Sequence, residues 1–340
     1  MPGLLWDVYC RVIDNLGDAG VCWRLAANLA ARGQQVRLVI DDPSPLAFMA
    51  PQGLPDVHLM PWPGPAEAGD VVIEAFGCDP PPETVEAMAQ RQRPPVWINL
   101  EYLSAEDYVE RSHGLPSPQR NGLTKWFFFP GFTPRSGGLL REPELQAQRD
   151  GFNRQDWLLN QGIARRPDER VVTLFCYDNA TIGPLLDDLA AEPTLLLLTP
   201  GPAQRQVMRA APAVRLHALP WLNQADFDAL LWSSDLSFVR GEDSLVRAIW
   251  AGAPFVWQAY PQHDGAHAAK VEALLHRLQA PPGVADAWRA WNGLGAPWPG
   301  VHALSPEPFL WLRRALQGQQ DLVMQLLAFV QTHPPQAPRC

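Results

Sequence analysis

The order of predicted secondary structure in the first 40 residues constrains the fold of this chain most strongly. Runs of apolar residues predict one strand over residues 4–12 and another over residues 36–40. Between them Val21, Leu25 and Leu29 recur every four residues, which is the spacing of a helix with one apolar face. A strand, a helix and a second strand within so short a stretch predict parallel pairing of the strands, and therefore an α/β fold.

The same alternation continues through the rest of the chain. Further strands are predicted at residues 57–61, 71–75 and 96–100, and then at 171–177, 194–199, 214–218, 236–239 and 255–258. Helices are predicted at residues 182–191, 223–232, 244–251, 266–278, 306–317 and 321–332. The proline- and tryptophan-rich stretch 280–299 predicts a loop, as does the weakly periodic stretch 119–138. Two doubly wound halves are the simplest architecture for this pattern.

The length of the chain sets the expected division into domains. Its 340 residues suffice for about two domains. We expect an N-terminal domain over residues 1–153, a linker over 154–169 and a second domain over 170–318. A helix within residues 319–340 is expected to pack back on the first domain. Ligands of such folds lie beside the carboxyl ends of the strands, so the residues that follow each strand are the candidates for function.

Composition excludes several classes of protein. Lys and Arg number 27 and Asp and Glu number 36, so the formal net charge is −9. This acidity disfavours binding to nucleic acid or to an anionic membrane surface. The 14 Trp exclude a disordered chain, and the 36 Pro disfavour an all-helical bundle. No signal peptide, membrane span or C-x-x-C pair among the 5 Cys is found in the sequence, which predicts a cytoplasmic protein with free thiols.

One candidate segment, residues 14–20, lies between the first predicted strand and the first predicted helix. Its glycines, Gly17 and Gly20, allow a ligand to approach the backbone closely, but they lack the spacing of a dinucleotide-binding motif. Asp14 and Asp18 suit a cation or a proton transfer better than a phosphate group. The alternative role for Asp18 is an ordinary cap at the start of the helix.

A second candidate segment runs from Arg240 to Ser244, between a predicted strand and a predicted helix. Backbone N–H groups at the helix start, together with the Arg240 guanidinium, suit a diphosphate. Ser244 offers a hydroxyl, and Glu242 is expected to face such a ligand. The alternative is a helix start that carries only surface charges.

A third candidate is the pair of aromatic residues Phe175 and Tyr177, which end the first strand of the second half. Their rings suit stacking on a base or a sugar, and burial in the core is the alternative. The D-x-D spacing of Asp226 and Asp228 is found in some metal-dependent transferases, but it falls here on an amphipathic helix. We therefore expect both carboxylates on a solvated helix face.

A possible zinc motif is the pair His263 and His267, which have the spacing of two ligands on one helix. The glutamate that follows the first histidine in such motifs is missing. Gly265 also interrupts the helix that the motif requires. We therefore expect no metal site.

Several of these segments, taken together and in order, resemble one known family. They are residues 9–25 (YCRVIDNLGDAGVCWRL), 97–107 (WINLEYLSAED), 113–117 (HGLPS), 175–177 (FCY), 240–246 (RGEDSLV) and 254–258 (PFVWQ). The resemblance is to the bacterial arginine rhamnosyltransferases that modify translation elongation factor P, the EarP family. It extends over nearly the whole chain, apart from residues 280–299.

Membership of this family implies a GT-B fold, in which two Rossmann-like lobes face each other across a cleft. It implies an inverting transfer of rhamnose from dTDP-β-L-rhamnose to one arginine of elongation factor P. It also implies that neither a cofactor nor a metal is needed, and that the donor and the acceptor protein are the partners.

The resemblance also suggests roles for individual residues. The implied catalytic residues are Asp18, Asp14 and Glu242. The implied donor-binding residues are Asn15, Gly17, Phe175, Tyr177, Gln224, Arg240, Gly241, Asp243 and Ser244. Two other functions remain open at this point. One is a GT-B enzyme for another nucleotide sugar, either a small-molecule glycosyltransferase or an epimerase, and the other is a binding protein without catalysis. The carboxylates disfavour the last of these.

Overall fold

The structure is a computed structural model that describes residues 3–13, 16–261 and 265–333. Within these residues the chain forms two compact units. Unit 1 extends to Leu145 and resumes at Gln319, and unit 2 comprises residues 146–318. The first segment of unit 1 therefore ends at Leu145, whereas the sequence analysis ended the first domain at residue 153.

The elements alternate between strands and helices along most of the chain. The strands are β1 (Leu5–Cys10), β2 (Gln35–Ile40), β3 (Val57–Pro61), β4 (Val71–Ala75), β5 (Val96–Leu100), β6 (Pro116–Pro118), β7 (Thr124–Phe128), β8 (Arg170–Leu174), β9 (Thr194–Leu198), β10 (Arg215–Ala218), β11 (Leu236–Arg240) and β12 (Phe255–Gln258). The helices are α1 (Gly17–Ala30), α2 (Leu46–Met49), α3 (Pro82–Gln90), α4 (Tyr108–Ser112), α5 (Leu145–Asp150), α6 (Arg154–Asn160), α7 (Ile182–Leu189), α8 (Pro202–Ala210), α9 (Gln224–Ser233), α10 (Gly241–Ala251), α11 (Ala266–Leu278), α12 (Pro282–Trp291), α13 (Glu307–Gln317) and α14 (Leu322–Thr332). None of these described helices is both long enough and apolar enough to cross a membrane.

Unit 1 is built on a seven-stranded sheet with the order β3-β2-β1-β4-β5-β7-β6. Its strands are parallel except β6, which pairs antiparallel with β7. The chain moves outward from β1 through β2 and β3, and then returns to the other side of β1 to form β4. Because the strand order reverses there, a crevice for a ligand is expected between the loops that follow β1 and β4.

Both faces of this sheet are covered, which is why its central strands are almost wholly apolar. On one face Val8, Ile73 and Ile98 pack against α1 and against Leu322 and Leu326 of α14. Arg32 of α1 also pairs with Asp321, which caps α14, at 2.7 Å. The last described helix therefore belongs to the core of unit 1.

Unit 2 contains a five-stranded parallel sheet with the order β10-β9-β8-β11-β12. The strand order reverses between β8 and β11, so the carboxyl ends of these two strands flank the expected ligand crevice. Helix α6, which lies in the expected linker, places Leu158 in the same core cluster as Val171 and Leu230. The two sheets confirm the predicted α/β fold with two Rossmann-like units.

The structure corrects several details of the sequence analysis. Helix α1 begins at Gly17, so the predicted turn over residues 14–20 includes its first helical turn. The predicted loops over residues 119–138 and 280–299 contain β7 and α12, and α3 and α8 lie where no element was predicted. In α3, α8 and α12 a proline, Pro82, Pro202 or Pro282, occupies the first turn. There the missing N–H costs nothing and the fixed φ favours the helix, so these prolines start helices instead of breaking them.

Candidate active site

The candidate site of unit 2 lies where β8 and β11 end side by side. The amide of Phe175 donates a hydrogen bond to the carbonyl of Phe238 at 2.9 Å, which extends the pairing of the two strands by one residue. Phe175 and Tyr177 therefore leave β8 next to Arg240, the last residue of β11. The structure thus brings together three of the residues that the sequence suggested for donor binding.

The Arg240 guanidinium lies over two aromatic rings. Its central carbon is 4.7 Å from the centre of the Phe175 ring and 4.3 Å from that of the Tyr177 ring. Each ring is held in turn by an edge-on contact, Phe175 with Phe227 at 5.5 Å and Tyr177 with Tyr260 at 5.4 Å. The cation–π contacts fix the plane of the guanidinium, so its hydrogen-bond donors are oriented before any ligand arrives.

The loop between β8 and α7 is fixed by side chains that the sequence analysis did not identify. The Gln258 side chain accepts a hydrogen bond from the Tyr177 amide at 2.8 Å. Asn179 donates to the Trp291 carbonyl at 2.7 Å, and Thr181 donates to the Ala290 carbonyl at 2.9 Å. Helix α12 therefore anchors the aromatic segment, although its sequence had predicted a loop.

The start of α10 contains the next group of predicted residues. Gly241 has a φ of +69°, a left-handed conformation that favours glycine, and its carbonyl accepts a hydrogen bond from the Trp257 indole at 2.7 Å. Ser244 is buried, accepts a hydrogen bond from the Arg240 amide at 3.1 Å and donates to the Arg240 carbonyl. Its hydroxyl is therefore engaged within the chain. Glu242 and Asp243 lie half-buried in the first helical turn.

Helix α9 forms a wall of the same site. Gln224 is its first residue and is half-buried, and Phe227 supports the Phe175 ring one turn later. The expectation of a solvated D-x-D face is wrong for Asp228. That carboxylate is buried and forms a two-point ion pair with Arg247 of α10, at 2.7 and 2.6 Å. This pair fixes α9 against α10, because neither charge is stable there without the other.

In unit 1 the candidate carboxylate is Asp18, in the first turn of α1. It is only 3% exposed, and its Oδ2 accepts a hydrogen bond from the Ile13 amide at 2.9 Å. This bond ties the middle of the β1–α1 loop to the helix. Gly17 is the first residue of α1 and is half-buried. Asp14 and Asn15, also predicted for the site, lie outside the described residues.

Buried thiols lie close to both candidate regions. Burial raises the pKa of Cys176 to about 12, although the positive charge of Arg240 acts in the opposite direction. In unit 1, burial raises the pKa of Cys78 to about 12 as well. The hydrogen bond between the Cys22 and Cys10 thiols, together with burial, raises the pKa of Cys22 above its ordinary value. These thiols are therefore protonated and are unsuited to act as nucleophiles.

No group of three or more His, Cys, Asp or Glu side chains within the described ranges is placed to hold a metal ion. Of the histidine pair considered above, His263 lies outside those ranges. The site residues that are described thus consist of aromatic rings, one fixed guanidinium, a helix start and separate carboxylates. Such a set suits an anionic nucleotide in unit 2 and a proton acceptor in unit 1.

Comparisons with known proteins assign the chain to a family. The sequence pattern of the family described as "Elongation-Factor P (EF-P) rhamnosyltransferase EarP" matches residues 6–331. A protein-arginine rhamnosyltransferase of Pseudomonas putida is 43% identical, with 95% of this chain and 98% of the relative covered. The protein of the same name from Pseudomonas aeruginosa is 42% identical over 95% of this chain and 98% of the relative.

Solved structures show a similar fold. One, described as "Structural basis for EarP-mediated arginine glycosylation of translation elongation factor EF-P", matches with a TM-score of 0.68 and 30% identity, and covers 97% of this chain and 99% of that chain. The calicheamicin glycosyltransferase CalG4 matches with a TM-score of 0.57 and 13% identity, covering 98% and 100%, which indicates a shared fold alone. The chain therefore belongs to the EarP family of elongation factor P rhamnosyltransferases, whose members are GT-B glycosyltransferases.

Proposed function

We propose that this protein transfers rhamnose from dTDP-β-L-rhamnose to an arginine side chain of elongation factor P, with inversion at the anomeric carbon. The observation that carries the proposal is the Arg240 guanidinium held over Phe175 and Tyr177 at the carboxyl end of β8 and β11. A fixed guanidinium beside aromatic rings suits a ligand that has both a base and a diphosphate. Membership of the family supports rhamnose as the sugar and elongation factor P as the acceptor protein.

The donor is proposed to bind to unit 2. Arg240 and the N–H groups at the start of α10 bind the diphosphate, and they stabilise the negative charge that grows on it as the bond to the sugar breaks. Phe175, Tyr177 and Gln224 surround the nucleoside. Because these groups supply positive charge without a metal ion, we propose that transfer requires none.

Asp18 is proposed as the proton acceptor. A guanidinium stays protonated in proteins and is a weak nucleophile until a proton leaves. As the arginine nitrogen forms its bond to the anomeric carbon, the carbon–oxygen bond to the diphosphate breaks and the nitrogen gives its proton to the Asp18 carboxylate. The attack comes from the face opposite the leaving group, which inverts the anomeric centre.

Two further carboxylates complete the proposal. Glu242 in the first turn of α10 is proposed to stabilise the positive charge on the sugar ring or to bind a sugar hydroxyl. Asp14 is assigned beside Asp18, and Asn15 and Gly17 beside the donor, by resemblance to the family. The remaining donor-binding assignments, Gly241, Asp243 and Ser244, rest on their place in the same segment as Arg240.

The test is a mass measurement on the acceptor. Folded elongation factor P is incubated with this protein and dTDP-β-L-rhamnose, with and without a chelator. We expect one added deoxyhexose on a single arginine in both reactions, and an α-linked sugar in the product by NMR. An acceptor that stays unmodified while another nucleotide sugar or a small acceptor is consumed would instead favour the other kind of GT-B enzyme.

A further inference from the structure

The loop after β4 in unit 1 holds a residue in an unusual conformation. Phe76 has a φ of +60°, in the left-handed region that bulky side chains rarely occupy, and Gly77 follows it with a φ of +71°. The Phe76 amide donates a hydrogen bond to the Leu100 carbonyl at 2.7 Å, which joins the ends of β4 and β5. Such strain persists where the surrounding structure enforces it, and it is concentrated at functional sites.

The strained residue supports an exposed ring. Phe76 and Tyr102 stack nearly parallel, with ring centres 4.4 Å apart and an angle of 12° between their planes. Tyr102, which follows the end of β5, is 40% exposed, whereas Phe76 is half-buried. One face of the tyrosine ring is therefore covered by Phe76, and the ring is held in a fixed orientation with part of its surface open to solvent.

This stack lies at the expected ligand edge of unit 1. The strand order reverses between β1 and β4, and Phe76 is the first residue after β4. Asp18 lies in the first turn of α1, the helix that follows β1, and Tyr102 follows β5, which is the neighbour of β4 on the side away from β1. Phe76 also packs against the core cluster that contains Ala19 and Cys22 of α1, the helix that holds Asp18. The rings and the carboxylate therefore belong to the same edge of the same unit.

We propose that Tyr102, supported by Phe76, is the surface on which the guanidinium of the acceptor arginine stacks before it reacts. The inference rests on the proposed function, because it assigns a position to the acceptor of that reaction. A guanidinium is planar and weakly hydrated, and it stacks on an aromatic face, whereas the compact ammonium of lysine keeps its water more firmly. The stack thus positions the arginine and favours it over lysine.

The first test is the kinetics of Tyr102→Ala with elongation factor P as the acceptor. Loss of a cation–π contact worth ~1 kcal/mol raises the KM for the acceptor about fivefold, and the KM for the donor stays unchanged. Tyr102→Phe keeps the ring and retains the wild-type acceptor KM. Phe76→Gly removes the support and relieves the left-handed strain, and in the folded variant the acceptor KM also rises.

The matched control is Tyr108→Ala. Tyr108 is 39% exposed and lies in α4 of the same unit, but its ring packs edge-on against Phe129 and has no part in the Phe76–Tyr102 stack. We expect this variant to keep the wild-type KM for both substrates. An equal rise in the acceptor KM of Tyr102→Ala and Tyr108→Ala would show a general surface effect and would overturn the proposal.

A second test measures the preference for arginine directly. The affinity of elongation factor P is measured in an Asp18→Asn background, for the natural acceptor and for one with lysine in place of the arginine. The preference for arginine falls about fivefold when Tyr102→Ala is added. An undiminished preference, an acceptor KM within twofold of wild type in Tyr102→Ala, or a rise confined to the donor KM would each overturn the inference. Failure of the wild-type enzyme to modify the acceptor would instead overturn the proposed function.

Discussion

Replacing Arg240 with alanine tests the assignment of the donor site to unit 2. The change removes the guanidinium that lies 4.7 Å from the Phe175 ring and 4.3 Å from the Tyr177 ring. It leaves both rings in place, because Phe227 and Tyr260 support them from the side. We therefore expect the main loss to be the proposed interaction of the guanidinium with the diphosphate.

The size of this loss follows from the chemistry of the contact. A hydrogen bond to a charged group contributes ~1.5–3 kcal/mol, and each 1.4 kcal/mol is a factor of ten in affinity. We therefore expect the Kd for dTDP to rise about 10- to 150-fold in Arg240→Ala. Arg240→Lys keeps the charge but loses the planar fork that the rings orient, so its Kd should lie between those of the wild type and the alanine variant.

Titration calorimetry with dTDP measures the effect, and Arg289→Ala is the control. Arg289 is also in unit 2, and it forms a two-point ion pair with Glu272 at 2.7 and 2.8 Å. Its removal changes the net charge by the same amount as the removal of Arg240, but the Kd for dTDP should stay within twofold of wild type. An unchanged Kd in folded Arg240→Ala, or an equal rise in both variants, would refute the assignment of Arg240 to the donor site.

Three further predictions concern catalysis and stability. Asp18→Asn should abolish transfer in a product assay while the Kd for dTDP stays within twofold of wild type, and near-normal turnover would remove Asp18 from the role of proton acceptor. Arg247→Met leaves Asp228 buried without its partner, so urea unfolding should show a loss of about 3–5 kcal/mol, and a loss below 1 kcal/mol would contradict the buried pair. Burial alone would raise the pKa of Asp235, but hydrogen bonds from Arg154 and the Val171 amide lower it below the ordinary 3.8. The stability that the Asp235–Arg154 pair contributes is therefore complete above pH 3.8, and it is lost as the pH falls through the lowered pKa of Asp235 in the folded protein. The difference in Tm between wild type and Asp235→Asn should therefore narrow in acid. A difference in Tm that stays constant with pH would contradict this assignment.

The strands and the class of fold were predictable from the sequence because they depend on local patterns. Strands such as β4 and β9 are short apolar runs, and both are buried along their whole length. Helix α12 was predicted as a loop because its stretch is rich in Pro and Trp, and α3 and α8, which also begin with proline, were not predicted. In each case the proline lies in the first turn, where it favours a helix, and this position becomes clear only when the whole segment is considered.

In the candidate site, too, single residues were predictable from local sequence, whereas their contacts were not. The sequence pointed to Phe175, Tyr177 and Arg240 separately, as residues that follow strands. Their contact depends on the pairing of β8 with β11, elements that are more than 60 residues apart in the chain. The support from Gln258 and Asn179 likewise depends on distant pairings, so spacing in the sequence gave no sign of it.

Tertiary contacts also explain the incorrect expectation for Asp228. A helix with acidic residues beside apolar ones normally exposes the acids to solvent. Here Arg247 of the neighbouring helix α10 lies within 2.7 Å, and its charge makes burial of the carboxylate possible. A partner 19 residues away on another helix cannot be assigned from helical periodicity alone.

The most direct test of arginine rhamnosylation by this protein is tandem mass spectrometry of elongation factor P after reaction with equal concentrations of wild type and Asp18→Asn, both saturated with dTDP-β-L-rhamnose. We predict one deoxyhexose on a single arginine with the wild type, and unmodified acceptor with the variant. Modification of a residue other than arginine would contradict arginine rhamnosylation, and equal modification by both proteins would contradict the role of Asp18 as proton acceptor.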